Sequence, residues 1–345
     1  MANIKKAVSH MLGPIYPLLR KLLNVDGRRL HSLYRYDEKR FLSVAGIYNA
    51  GIYNAGSRSS LEAQIIMRYH VIEKGLTMPD RRLGFGRAML LSLIEQIERF
   101  ISLYGNTSKQ VMHAIGVVRE YQRAHANHAV NVNVDLTFWK RVADFSDRFK
   151  DVPPARQLHF SREDFYSHTN APFIEFAKAR HCTRHFSAAS VSRNKIESAV
   201  TLATTAPSAC NRNHGRVHCI ADKGVCRKLL EIQGGNRGFG HLADKLLIVT
   251  VDTSCLMAGR ERHDGYVNGG MFLMNLCYAL YAYEVAYTIL TWAVSIEADK
   301  KLRGLMNLPQ SEDVVALLCI GEAPDEFDVP ASPRRELSEV LTWHS

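Results

Sequence analysis

The chain lacks several features that would place it in a well-marked class. Its 345 residues hold no apolar run of the ~20 residues needed to cross a bilayer, because Lys, Arg, Asn or Glu breaks each candidate. This argues against an integral membrane protein. Seven cysteines, odd in number and without a C-x-x-C pair, fit neither a disulfide framework nor a zinc ribbon. There is no P-loop, and Gly84-Phe85-Gly86 and Gly238-Phe239-Gly240 lack the preceding strand and third glycine of a dinucleotide fingerprint. The mildly apolar N-terminus is interrupted by His10, Gly13, Pro14 and Pro17, with no small-residue cleavage site after it. A reducing cytoplasm is the expected compartment.

What is present is enough for a folded core: 46% hydrophobic and 23% charged residues. The length suggests two domains, and charge divides the chain in the same way. Residues 1–165 hold 25 Lys and Arg against 15 Asp and Glu, whereas residues 166–345 hold 19 against 19, so the formal net charge of +10 lies wholly in the first part. All seven cysteines lie in the second.

The first part reads as mainly helical. Residues 1–40 mix apolar pairs with basic residues, as an amphipathic helix docking on the same protein would; a membrane surface is the weaker alternative. A tandem repeat follows, Ala45 to Asn49 copied at Ala50 to Asn54, which is better placed in a loop than in a packed helix. Ser59 and Glu62 form a capping-box pattern before Leu61, Ile65, Tyr69 and Ile72, and Gly75 is the expected stop. Further helices are expected from about Ala88 to Tyr104 and Ser108 to His128, with a linker at Asp151 to Gln157. In the second part, helical patterns at Arg193 to Thr204, Gly270 to Tyr283 and Ile296 to Met306 are separated from strand-like runs. Those runs are Val217 to Ala221, Leu246 to Val251 and Val314 to Ile320.

Three segments of the second part carry the chemistry. In Arg180-His181-Cys182-Thr183-Arg184-His185-Phe186, two arginines four apart can converge on a phosphate. Ala206 to Asn213 is a polar turn whose backbone groups suit a heteroaromatic ring edge, and Ala331 to Leu337 is another basic turn. These segments, with the helix Gly269 to Leu276 and the Val314 to Gly321 strand, resemble the nitroreductase superfamily of flavoproteins in kind and order, over roughly residues 170–342. The upstream segment Tyr69-His70-x-x-Glu73-Lys74-Gly75-Leu76 makes the extended chain resemble nitroreductase-like proteins of bacterial surface-polysaccharide biosynthesis.

The resemblance implies an α+β fold with a central mixed or antiparallel sheet flanked by helices in residues 166–345, after a helical basic extension over 1–165. It implies FMN at the interface of a homodimer, and ping-pong hydride transfer from NAD(P)H through flavin to a small-molecule acceptor. Carried over by motif, Arg180, Cys182 and Arg184 belong at the phosphate and ribityl end. Arg334 is the C-terminal phosphate arginine, with Arg335 as the competing alignment. Pro207, Ser208, Ala209 and Asn211 line the ring from the other subunit. Gln233 or Gly234 approaches its pyrimidine edge, and Thr291 and Trp292 match the stretch near N5. No side chain is assigned as catalytic, since the flavin carries the redox chemistry.

Two departures stand out. Asn213-His214-Gly215 replaces the family's usual Gln-Pro-Trp, which opens room for a different acceptor, and Glu284 stands where glycine is usual, which weakens the alignment of Thr291 and Trp292. Lys74, Arg81 and Arg82, with Arg87, are either a solvated cluster or an anion site; with Asn213 and His214 they are the substrate candidates. The histidine pairs 181/185 and 214/218 have no matching third ligand, so no metal is expected. Dispersed basic residues without a known motif argue against nucleic acid. The alternatives are a non-catalytic flavin-binding protein recruited through its basic extension, and a flavin-consuming oxidase-type activity.

Overall fold

The computed structural model describes residues 25–44, 58–105, 108–126 and 136–344. The duplicated segment at 45–54 and the first part of the expected N-terminal helix lie outside them.

Two apolar cores organise the chain. The first is built by helices α2 (Arg58–Leu76), α3 (Arg87–Tyr104), α4 (Lys109–His125) and α5 (Leu136–Arg148). They bury Leu61, Ile65, Ile94, Phe100, Tyr121 and Phe145 at helical spacing against one another. The linker is packed rather than free, for the Ala155 amide donates to the Gly116 carbonyl of α4 at 2.9 Å. Helix α1 (Val25–Val44) leaves this bundle and docks on the second core, with Asp37 gripping Arg262 at 2.5 and 2.7 Å.

The second core surrounds an antiparallel four-stranded sheet of order β2-β3-β5-β4, formed by β2 (Gly215–Ile220), β3 (Lys245–Asp252), β4 (Ala286–Thr291) and β5 (Glu312–Gly321). Residues 246–249 and 317–320 of the two central strands are buried, as continuous apolar runs covered on both faces should be. Helix α10 (Asp264–Ala282) lies on β3 and β5, and α8 (Arg193–Ala203) lies on α10. A separate pair joins β1 (Leu158–Ser161) to β6 (Glu326–Val329). The remaining helices are α6 (Arg162–Tyr166), α7 (Phe173–Ala179), α9 (Lys223–Gln233), α11 (Ile296–Met306) and α12 (Leu337–Val340). The fold is thus α+β with a helical N-terminal region, as expected. The pairing of β1 makes the cores part near Gln157, a few residues before the charge-based division at 165.

Three local expectations are corrected. Ser59 lies inside α2, and Glu62 forms no capping box; its buried carboxylate accepts from the Ser108 hydroxyl and pairs with Arg335. Gly75 does not stop α2, which runs on to Leu76. It is small because a Cβ there would lie 2.0 Å from Phe85 Cε2. Helix α10 starts six residues before Gly270, because Gly269 lets it press on β3 and β5, where a Cβ would lie 2.6 Å from Val315 and 2.8 Å from Val251.

Gly75→Ala is expected to displace the Phe85 ring and destabilise the chain by about 1–3 kcal/mol, as overpacking does. Urea denaturation checks this, and an unchanged midpoint would show that Phe85 yields without cost.

Candidate functional site

The extended stretch after α7 carries the first motif. Arg180 is held by Tyr287 of β4, donating to its hydroxyl at 2.9 Å and to Cys182 Sγ at 3.6 Å. Its Nε is buried without a partner. Arg184, four residues on, donates to His70 Nε2 on α2 at 3.3 Å and lies 5.8 Å from the Phe239 ring centre. Lys74, one turn after His70, stands 5.6 Å from that ring centre and donates to the Gly235 carbonyl at 3.3 Å. Arg180, Cys182, Arg184 and Lys74 are thereby tied to one region.

The loop after α9 meets β4 in the same region. Gly234, with φ 76°, ends α9, and the Gln233 amide donates to the Thr291 carbonyl at 3.1 Å while its oxygen accepts from the Gly235 amide at 2.7 Å. Trp292 turns inward to Asp299 at 2.9 Å. The position where the family usually has glycine is occupied here by a glutamate. Glu284 itself adopts the left-handed conformation, with φ 53°, that favours glycine.

The C-terminal turn separates the two competing arginines. Arg335 is committed to Glu62 at 2.5 Å and Glu339 at 2.9 Å, whereas Arg334 donates only to the Ser332 carbonyl at 3.1 Å. Ser332, with φ 37°, gives its amide and hydroxyl to the fully buried Glu73 at 3.3 and 3.2 Å.

The local charge is mainly positive, offset in part by the buried Glu73, which favours the charged forms of Arg184 and His70. Among the described residues, no ion pair to Asp or Glu engages Arg180, Arg184, Arg334 or Lys74; the nearby acids are spent on Arg335, His113 and His70. Burial, then Arg184, pushes the Lys74 ammonium below its ordinary pKa. Burial and Arg184 likewise lower His70, and burial, Arg180 and Arg334 lower His181. Lys74 and Arg184 repel one another, and Arg180 and Arg334 both act on His181, so an anion would stabilise the group.

Pro207, Ser208, Ala209 and Asn211 form a second group. Cys210, Asn211 and Asn213 have φ of 52°, 54° and 52°, a left-handed conformation that asparagine tolerates and that is strained for Cys210. The turn is held by Asn268, which accepts from the Ala209 amide at 3.0 Å, and by the Ser208 hydroxyl, which accepts from the Asn213 amide at 2.9 Å. Asn213 and His214 line a cavity of about 160 Å³ with Pro207, Ser208, Asn268 and Phe272. His214 is 1% exposed with both ring nitrogens unpartnered, and burial lowers its pKa.

Of the remaining substrate candidates, Arg81 and Arg82 are exposed in the α2–α3 connection. Arg87 turns into the helical bundle, 5.4 Å from the Phe138 ring centre, so it does not join Lys74 in one anion site. Sequence reasoning missed Tyr287 and Phe239. A signal existed for Phe239 in the Gly-Phe-Gly triplet, which was weighed only as a dinucleotide fingerprint; Tyr287 looked like any strand residue.

Residues 177–322 match the model of the nitroreductase family. No curated protein matches the chain. Similar solved structures include a nitroreductase family protein from Streptococcus pneumoniae, 18% identical over 50% of this chain and 100% of that one, with a TM-score of 0.45. Another, from Clostridium difficile, is 20% identical over 50% and 99%, with a TM-score of 0.41. An NADPH:FMN oxidoreductase from Vibrio harveyi is 16% identical over 50% and 76%, also with a TM-score of 0.41. No helix among the described residues is long and apolar enough to cross a membrane.

The lowered imidazole pKa values fix the sign of a pH effect. Below about pH 6.5 the unfolded histidines take up protons that the folded His70 and His181 resist, so stability falls as pH falls through that window. Carboxylates such as Asp37, held at about 2 chiefly by its hydrogen bond to Arg262, lose their contribution only at lower pH, below their ordinary 3.8. Urea midpoints at pH 7, 6 and 5 should decline less steeply in His70→Asn/His181→Asn than in the unsubstituted protein. Identical slopes would mean that both imidazoles titrate normally.

Proposed function

From a chain that carries a nitroreductase-family domain over residues 177–322, we propose an FMN-dependent oxidoreductase, reduced by NAD(P)H, that acts by ping-pong hydride transfer on a small-molecule acceptor. The observation that carries this reading is the group of cations without a carboxylate partner among the described residues, Arg180, Arg184, Arg334 and Lys74, together with the buried, unpartnered Nε of Arg180. A phosphate monoester meets that donor set well. Bound FMN would supply the redox chemistry, taking hydride from the reductant and returning it to the acceptor.

The protein's own residues bind and orient. Arg180, Cys182 and Arg334 hold the phosphate end, and Arg184 adds charge beside them. Gln233, Gly234, Thr291 and Trp292 shape the edge that meets the ring. Pro207, Ser208, Ala209 and Asn211 serve the site of a second copy, and Asn213 and His214 bound the acceptor cavity. A homodimer is supported by the unpartnered apolar stripe on α10, where Val267, Met271 and Met274 are 59%, 37% and 38% exposed at helical spacing. The assignment to surface-polysaccharide biosynthesis rests on the Tyr69 to Leu76 resemblance alone.

The purified protein should take up FMN, show the flavin band near ~450 nm, and bleach under anaerobic NADH or NADPH. A protein that takes up no FMN sinks the reading; one that binds FMN without bleaching is a flavin carrier. Arg184→Ala should weaken FMN binding by about ten- to hundredfold, the worth of one charge-assisted contact. Met271→Glu should shift the dimer toward monomer in sedimentation equilibrium, and an unaltered mass would place the interface elsewhere.

A further inference from the structure

We propose that the helical domain is a built part of the cofactor site. Helix α2 adds Lys74 to the cations around Arg184 and the His70 ring as the acceptor that holds Arg184, and Glu73, Gln110 and Glu62 fix the turn that presents Arg334. Flavin binding and docking of the helical domain therefore form one linked equilibrium. The inference rests on the flavin reading above.

The C-terminal turn is gripped almost residue by residue. The Ala331 amide donates to Gln157 Oε1 at 3.3 Å, and Glu73 takes the amide and hydroxyl of Ser332 at 3.3 and 3.2 Å. Gln110 of α4 donates to the Pro333 carbonyl at 3.3 Å, and Glu62 takes Arg335 at 2.5 Å. Lys109 lies 3.6 Å from Glu336. The residue skipped is Arg334. These contacts hold Ser332 at a positive φ, a conformation that persists only where its surroundings over-determine it.

A relay of polar contacts joins this turn to the other cation. Arg184 donates to His70 Nε2, which leaves the proton on Nδ1, facing Ser332 Oγ at 3.5 Å. The Ser332 hydroxyl in turn donates to Glu73, whose other oxygen meets His113 of α4 at 2.7 Å. His70 and Glu73 are one turn apart on α2, so the helix addresses both phosphate-facing turns from one face. A ligand that binds only the docked arrangement stabilises it, and docking strengthens the ligand by the same factor.

The test measures FMN and riboflavin affinity in the full chain, since riboflavin lacks the phosphate. Glu73→Gln and Ser332→Ala act through the Arg334 turn, so each should weaken FMN by about tenfold while riboflavin changes by less than about twofold. Lys74→Met should weaken FMN by about tenfold. In the unsubstituted protein, FMN should slow amide exchange in α2 and α4 as well as in the nitroreductase domain. Unchanged FMN affinity in all three variants, equal loss of FMN and riboflavin in the first two, or protection confined to residues 177–322 would overturn the linkage. Should Glu73→Gln fail to fold, Ser332→Ala and the exchange measurement decide. A protein that binds neither flavin defeats the flavin reading itself, which is a distinguishable result.

Discussion

The structure depends on where one carboxylate is buried. Glu73 has no exposed surface, and a charge taken so far from water costs several kcal/mol unless its lone pairs are filled. They are filled by His113 from α4 and by the amide and hydroxyl of Ser332, residues separated from it in sequence by 40 and 259 positions. Satisfying Glu73 therefore requires the bundle and the C-terminal turn to meet at one place. Once they meet, Glu62 reaches Arg335 and His70 reaches Arg184. Removing both partners would strand a buried charge, so the contact between the two cores carries a specific polar requirement.

The arginines show that this polar chemistry is selective. Arg212 pairs with Glu261, Arg262 with Asp37, Arg303 with Asp313, and Arg335 with Glu62. Each of these ties one segment to another, and each has its acid. Arg180, Arg184 and Arg334 have none, although they too are backed by hydrogen bonds from the fold. Among the described residues, Arg68 and Arg119 lack an acid too but donate to Ser92 and to backbone carbonyls, whereas Arg180 keeps a buried Nε without a partner, which disposes that group for binding. The neutral state favoured for His70 and His181 keeps two more positive charges out of the group.

Much of the second core was legible in the sequence because its signals are local. The β-branched run Leu246 to Val251 lies within β3, and α11 occupies the expected Ile296 to Met306. The first and last strands of the chain were not legible: β1 and β6 are four residues each and exist because Leu158 faces Val329 across the fold. The site was legible in pieces. The R-x-x-x-R spacing and the basic C-terminal turn could be read as phosphate-directed, but which of Arg334 and Arg335 an acid engages depended on Glu62, a residue that the local pattern assigned to a helix cap. Likewise, His70, Glu73 and Lys74 were visible as letters at helical spacing. Their meaning lay in what they face, which no window of sequence contains.

The uneven charge of the chain takes a different sense in this light. The surplus over residues 1–165 is not one basic face: Arg141 and Arg148 share Glu98, Arg123 holds Glu120, and Arg87 lies against Phe138. Conversely, the second part is neutral as a sum, yet it contributes three of the unpaired cations. Its acids are placed on other arginines and lysines, so the balance of the whole coexists with a sharp local imbalance. At distances of a few ångströms and partial burial, the local distribution governs what binds, because charges farther off are screened within about 8–10 Å. One cation from the basic part, Lys74, completes the imbalance of the neutral part, and the helix that brings it there is the one pinned by Glu73.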